Sequence, residues 1–584
     1  MTLIEKAYEL SPMQQGMLFH AIGEPGSGVD IEQIVCQLDE RLCITAMLRA
    51  WDLIVSRHTI LRTAFAWEDI AEPLQRVYDF VQIPSETIDW RDAGGEEQAA
   101  RWDRLLVADR KQGFDLSRAP LMRLRMVQLG ESSYRLLWTF HHALLDGRSF
   151  PIVLREVFAA YTAFRDGITE PQLAARKPYY DYIEWLRTQD LTEAEKFFRE
   201  KLNGFRAPTP IPSSSPGDGN AWGVAQCRLS EESTKKLSAF AQMVGVTVNT
   251  LLQGAWALLL HHHSSEEDIV FGATRSGRAS TLTDADAPVG LFINTLPMRI
   301  SVRPEASVGA WLREIREQHL SLRPYEQTPL RIIQKASEVT GGVGLFNSIL
   351  VFENYLLDTA LRAQGGEWAN RHFEYIGQTN FPLTLIVYAD REMTLRLEHD
   401  PRQLEPEGAE RVLGHLCTLL DGICMDAARS ILSVPLLTEA ETRELLAPPK
   451  AASQADICLH QRFERQVAQT PDSVAITCDG ESLSYAELNR RANAVANRLI
   501  SLGAGPEILI GLCVERNIGM VVGILGILKA GAGYLPIDLS YPPERVAFML
   551  EDAGVTVLLS QRSLQASLPK YQGALLLLDD VTEK

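Results

Sequence analysis

The chain has 584 residues and a formal net charge of −18 at pH 7. It is 46% hydrophobic and 23% charged, an ordinary globular balance that excludes a disordered chain, a collagen-like chain and a disulfide-stapled miniprotein. The acidic excess argues against a general nucleic-acid binder, and at ~150 residues per domain the length points to about four globular units.

In chain order, Ser11-Pro12 reads as an N-cap followed by proline at the first helical position. A second helix is predicted over residues 45–56. Residues 134–141 are aromatic and apolar and read as a buried strand. The loop HALLDGR follows, and then Phe150, Val153, Leu154, Val157, Phe158 and Tyr161 recur at helical spacing. Thr192 and Glu195 form a capping box for another helix, and residues 207–220, rich in Pro, Ser and Gly, read as a loop. A further α/β block runs to about residue 437, with a helix over 248–260 and a strand over 269–272. Residues 447–456, APPKAASQAD, form a linker. Beyond it Ser484 and Glu487 make a second capping box. Strand-like ILIGLCV, a helix over 519–529 and strand-like VTVLLS then predict a parallel-sheet unit.

None of the eight cysteines forms a C-x-x-C pair, no secretory leader is visible, and the longest apolar run, residues 518–528, falls short of the ~18 residues of a membrane span. The expectation is a cytoplasmic protein with no membrane and no nucleic-acid partner.

The sharpest chemical feature is His141-His142-Ala143-Leu144-Leu145-Asp146-Gly147. Adjacent side chains on a strand point to opposite faces, so one of the two histidines faces any given site. An imidazole at a strand end, with its ordinary pKa of ~6.5, suits proton transfer near neutral pH. Gly147 permits a turn that other residues resist. A buried histidine beside a strand is more often a satisfied core residue. A metal site is weaker still, because adjacent histidines diverge and no third ligand is suitably spaced. His261-His262-His263 ends a predicted helix, where imidazolium suits the negative dipole end better than a metal does.

HHALLDG resembles the HHxxxDG signature of nonribosomal peptide synthetase condensation domains. SPMQQGMLFH (11–20), SRHTILRTAF (56–65), YYDYIEW (179–185), VGLFINTLPMR (289–299), YEQTPL (325–330) and FNSILVFENY (346–355) resemble that family's other core motifs, in family order. LSYAELN (483–489) and LKAGAGYLPIDLSYPPER (528–545) are similar to the first two core motifs of an adenylation domain. The phosphate loop of the type TSGTTGKPKG and the carrier motif are not found before Lys584.

The resemblance implies an α/β fold with two chloramphenicol-acetyltransferase-like lobes in a V, plus a partial α/β adenylation subdomain. The expected divisions are 1–175 for the N-terminal lobe, 176–445 for the C-terminal lobe, 446–456 for the linker and 457–584 for the adenylation-like part. It implies an acyltransferase that forms an amide between carrier-bound thioesters, and no amino-acid activation by this chain. The partners implied are donor and acceptor carrier proteins that bring substrates on phosphopantetheine, with no cofactor or metal bound by the chain itself. His142 is the implied catalytic residue. His141 is implied to be structural, Asp146 to pair with Arg62, and the Gly147 N–H to sit near a developing oxyanion. Asn294 is either a supporting residue of the site or a strand-end hydrogen-bonding residue of the second lobe. Arg148 departs from the Trp, Cys or Val common after DG. Ester formation on the same fold and a non-catalytic docking platform are the alternative functions. Epimerisation is disfavoured by FINTLP with the following adenylation start, and heterocyclisation by the double histidine.

Overall fold

The structure is a computed structural model that describes residues 3–24, 26–213, 222–278, 288–340, 343–353, 356–447 and 457–582. Half of the expected loop over 207–220, nearly all of the linker, and Asn354 and Tyr355 of FNSILVFENY lie outside the described residues. The chain divides into two compact units, Met1–Thr442 and Arg443–Lys584.

The first unit contains two large sheets, each with its own core. One has the strand order Arg371–Ile376, Ile31–Leu38, Ser133–His141, Met122–Gly130, Ser85–Asp89. Its central strand Ser133–His141 is antiparallel to both neighbours, with His141 opposite Ile31 and Phe140 opposite Met122. Trp51, Trp138, Phe140 and Leu144 anchor the core on its buried side. The helix Ser149–Arg165 packs there through Val153, Leu154, Val157, Phe158 and Tyr161, the helical spacing read from the sequence.

The other sheet runs Asn294–Ser301, Asp268–Arg275, Ser348–Glu353, Leu383–Tyr388, Thr394–His399, Gly223–Arg228. Its core is built around Trp256, Trp311, Phe271 and Leu258. A small third sheet pairs Ile4–Glu9 and Thr63–Ala66 with Leu74–Tyr78.

A cut at 175/176 does not separate the two cores. Tyr179, Tyr182, Val289, Leu291, Phe292, Leu357 and Phe373 belong to the N-terminal core, and the strand Arg371–Ile376 completes its sheet by pairing with Ile31–Leu38. Apolar burial assigns each segment to a core, whatever its distance along the chain.

Local signals were close but not complete. Ser11 caps the helix Pro12–Gly23 in a full capping box with Gln14. The helix expected to start at Thr192 is instead capped by Asp190, whose carboxylate accepts from the Thr192 and Glu193 amides, and it spans Leu191–Lys201. The predicted helix over 248–260 is Val248–Ser264.

The second unit holds a four-stranded parallel sheet in the order Gly533–Pro536, Leu509–Cys513, Val557–Ser560, Ala574–Leu577, plus a two-stranded ribbon. Ser484 caps the helix Tyr485–Ser501, while Glu487 pairs with Arg490 and Arg491. Among the described residues no single helix is long and apolar enough to cross a membrane.

Candidate active site

The strand Ser133–His141 delivers its end to a cavity of about 840 Å³ lined by His142, Gly147, Asp30, Phe150, Tyr375 and Glu353, among others. Its volume suits a substrate rather than a few waters. Because Ile31 pairs with His141, Asp30 comes next to His142, and its carbonyl accepts the His142 N–H at 2.7 Å. Asp30 holds a left-handed backbone, φ 60°, which aspartate tolerates better than most residues.

The chain then turns sharply, with the Leu144 and Leu145 amides donating to the His141 and His142 carbonyls. This turn brings the Leu145 carbonyl 2.7 Å from His142 Nδ1. A carbonyl only accepts, so Nδ1 carries the proton and neutral His142 keeps its free lone pair on Nε2. Burial lowers the His142 pKa, but the Glu32 and Asp30 carboxyls, the Leu145 carbonyl and Asp146 more than offset it, and the net shift is upward.

His141 has the opposite environment. It is buried, its Nδ1 accepts from the Ala143 amide at 3.2 Å, and burial with the charge of His142 pushes its pKa down to about 3. It is a neutral hydrogen-bonding group of the turn.

Asp146 is buried at the start of the helix Ser149–Arg165. Its Oδ1 accepts from the Arg148 and Ser149 amides at 3.1 and 2.9 Å, and its Oδ2 from the Phe292 amide at 3.1 Å. Its ion-pair partner is Arg278, at 3.2 Å. The expected pairing with Arg62 is therefore corrected. Arg62 ends the 3₁₀ turn Thr59–Arg62, donates to Glu5 Oε2 at 2.7 Å and to the Tyr78 carbonyl, and ties that turn to the small sheet.

Gly147 also needs a different explanation. Its φ is not in the left-handed region, so the turn itself does not demand glycine. Space does: a Cβ there would lie 2.9 Å from Glu353 Oε1.

Asn294 starts the strand Asn294–Ser301. Its amide group donates to the Glu326 and Thr328 carbonyls, both at 2.9 Å, and its Oδ1 accepts from the Thr295 amide. These are the strand-end bonds of the second lobe. At the C-terminal end of Val248–Ser264, burial and neighbouring histidines lower the pKa of His262 and His263, which disfavours the imidazolium expected there.

Segments distant in sequence meet around the HHALLDG loop. Gln14 Nε2 donates to the Ala143 carbonyl at 3.0 Å. Ser149 Oγ donates to the Gly290 carbonyl at 2.6 Å and receives Arg278 Nη2 at 2.8 Å. Tyr179 Oη donates to the Leu291 carbonyl at 2.6 Å, and its ring fills the space where a Gly290 side chain would stand. Tyr182 Oη donates to Gln327 Oε1 at 2.7 Å. His58 is 2.8 Å from Glu156 and ties the second motif to the helix after the loop.

These bonds join the motifs at 11–20, 56–65, 179–185, 289–299 and 325–330 to the HHALLDG loop, to the helix after it or to one another. Residues 4–446 match the family of condensation domains. The chain belongs to the condensation-domain family. Residues 463–582 match the AMP-binding enzymes, so the condensation domain is followed by the start of such a domain.

The chain is 41% identical to a linear gramicidin synthase polypeptide of Brevibacillus parabrevis over 584 residues, which cover 99% of this chain and 8% of that protein. It is 32% identical to surfactin synthase subunit 3 of Bacillus subtilis (strain 168) over 593 residues, covering 99% of this chain and 46% of that protein. The chain thus spans less than half the length of either relative. Among solved structures, it is similar to a holo four-domain nonribosomal peptide synthetase bound to AMP and glycine, with TM-score 0.72, 21% identity, and coverage of 100% of this chain and 45% of that one. It is also similar to the first condensation domain of the calcium-dependent antibiotic synthetase, with TM-score 0.62, 19% identity, and coverage of 75% and 100%. The condensation domain here has the mixed α/β, chloramphenicol-acetyltransferase-like fold of those structures.

Three polar residues at or beside the condensation site escaped the sequence reading. Arg278 gave no signal, because its partner is 132 positions away. Asp30 sits at the entry of a strand and resembles a turn residue. Glu353 was detectable in principle, as the one charge ending the apolar run Ser348–Glu353.

Proposed function

We propose that this condensation domain joins a carrier-bound acyl or peptidyl thioester to the amino group of a carrier-bound aminoacyl thioester. The observation that carries the proposal is the orientation of His142, whose Nδ1–H is held by the Leu145 carbonyl while its ring borders the cavity. The acceptor amine attacks the donor carbonyl, forming the C–N bond and a tetrahedral centre. His142 Nε2 takes a proton from the new ammonium. The centre then collapses, the C–S bond breaks, and the imidazolium returns the proton to the departing thiolate. The products are an amide on the acceptor carrier and a free thiol on the donor carrier. Proton transfer of this kind contributes roughly 10²–10⁴-fold, and holding two thioesters in line contributes comparably.

Asp146 has a positioning role in this scheme. With Arg278 and three backbone amides it fixes the loop between His142 and the helix. The Gly147 amide, at the cavity wall, is proposed to point toward the developing oxyanion.

Phosphopantetheine arms of donor and acceptor carriers are the proposed route for both substrates. The adenylation-like unit is proposed to add no amino-acid activation in these 584 residues, and amino-acid-dependent ATP–pyrophosphate exchange by the purified chain would overturn that. The unpaired thiols support a cytoplasmic setting. The function is tested with purified chain and a panel of acyl- and aminoacyl-loaded carriers, reading carrier-bound amide by intact-protein mass spectrometry.

A further inference from the structure

Glu353 closes the strand Ser348–Glu353 of the C-terminal sheet, where it is held by pairing with Tyr388 and by the Ala389 amide donating to its carbonyl at 2.8 Å. Its side chain reaches to the HHALLDG loop. Oε1 occupies the space that a Cβ on Gly147 would need, and the carboxylate borders the same cavity as His142. Three other buried carboxylates are bonded, Asp146 to Arg278, Glu156 to His58 and Glu398 to Arg396, whereas Glu32 Oε2 also lacks a hydrogen-bond partner among the described residues. The Glu353 carboxylate has no hydrogen-bond or ion-pair partner among the described residues. A carboxylate held this way has no structural bond to account for it, and glycine at 147 is the residue that admits it.

We propose that Glu353 is a second substrate-contacting residue, whose carboxylate accepts a hydrogen bond from the acceptor's amino group and holds it beside His142 Nε2. The inference rests on the amide-forming reading of the site. It assigns the two lobes complementary parts: the N-terminal lobe supplies His142 and the C-terminal lobe supplies the group that orients the nucleophile.

The electrostatics agree with this assignment. Burial and Asp146 raise the Glu353 pKa to about 7, against the lowering effects of Arg148 and His142. Its charge is therefore poorly solvated, and an ammonium or amine entering the cavity offers it the missing partner. The groups facing it are His142, Asp146 and Arg148 from the loop and Tyr388 from the adjacent strand. The nearby carboxyls raise the His142 pKa, which favours the imidazolium that cannot accept another proton. Glu353 then supplies an acceptor for the amine N–H that does not depend on the state of His142.

The test is equilibrium binding, which needs no turnover. Leucyl-N-acetylcysteamine thioester and its 4-methylpentanoyl counterpart, which lacks only the amino group, are titrated into the full chain by calorimetry. Wild type is expected to prefer the amino compound by about tenfold, the scale of one charge-assisted hydrogen bond. In Glu353→Gln, which keeps the shape and removes the charge, that preference is expected to shrink to less than about twofold with circular dichroism unchanged. Equal binding of the two compounds to wild type, or a preference that survives Glu353→Gln, overturns the proposal. Single-turnover amide formation is measured alongside. If amides form and the preference is unaffected, the Glu353 assignment falls while the function stands. If no amide forms but the preference is lost in Glu353→Gln, the function falls while the contact stands.

Discussion

Arg278 Nη2 lies 3.2 Å from Asp146 Oδ1 and 2.8 Å from Ser149 Oγ, so one guanidinium holds both the loop carrying His142 and the first turn of the helix after it. Both charges are buried, and Arg278 also stacks on Phe292, 4.3 Å from its ring centre. Removing the Asp146 carboxylate takes the ionic partner from that guanidinium and a side-chain acceptor from the Arg148, Ser149 and Phe292 amides. Asp146→Ala is expected to cost about 3–5 kcal/mol of stability in urea unfolding of the full chain. A double-mutant cycle is expected to give Asp146 and Arg278 a coupling of about 0.5–3 kcal/mol, and Asp146 and Arg62 a coupling near zero. Equal couplings for the two arginines would contradict this account.

Gly147→Ala tests the space filled by Glu353. The backbone there accepts alanine, yet its Cβ meets Glu353 Oε1 at 2.9 Å. The variant is expected to fold with a stability loss of about 1–3 kcal/mol, the usual range for overpacking. Most of that loss is expected to return in Gly147→Ala/Glu353→Ala, because the second change removes the obstructing carboxylate. Failure of the double variant to recover stability would show that the glycine answers some other constraint.

The pH dependence of the reaction follows from His142. It acts as a base only when neutral, and its pKa is raised by nearby carboxyls in spite of burial. Single-turnover rates are therefore expected to climb with pH beyond the ordinary histidine range. Asp30→Asn removes one of the attractive charges, so the climbing limb should move to lower pH. Asp30 itself is pushed up to about 7 by burial, so its own charge grows as pH rises through that value. A limb that stays in place or moves upward in Asp30→Asn contradicts the assignment.

Stability carries a separate signature. The Glu353 carboxyl is raised to about 7 by burial and by Asp146. Between its ordinary pKa and this value the folded chain holds a proton that the unfolded chain has released. Stability from this group therefore falls as pH rises through that window. Glu353→Gln removes the contribution, so the loss of stability between about pH 5 and about pH 8 is expected to be smaller in the variant than in wild type. A larger loss would mean that the carboxylate is stabilised in its charged form by a partner.

The sequence carried the elements and the order of motifs well, because both rest on local pattern. Ser11 with Gln14, the buried strand to His141 and the apolar stripe of Ser149–Arg165 are each visible within a short stretch of chain. What it did not carry were contacts that close across the lobes. Arg62 was the natural partner for Asp146 by motif analogy, but Glu5 and the Tyr78 carbonyl are nearer to it, and Arg278 arrives from the other lobe. The glycine at 147 was read as a torsional requirement, whereas the constraint comes from Glu353, a residue 206 positions on. Local pattern also gave no sign that Arg371–Ile376 joins a sheet whose other strands lie more than two hundred residues earlier.

The central claim is that His142 serves amide formation between two carrier-bound substrates. The most direct measurement is intact-protein mass spectrometry of carriers after one turnover, with wild type and His142→Ala compared on the same acyl- and aminoacyl-loaded panel. Wild type is expected to leave an amide on the acceptor carrier, and His142→Ala to slow it by about 10²–10⁴-fold while the carriers still bind. Amide formation at an undiminished rate in His142→Ala, or no amide from wild type with any pair of bound carriers, would contradict the account.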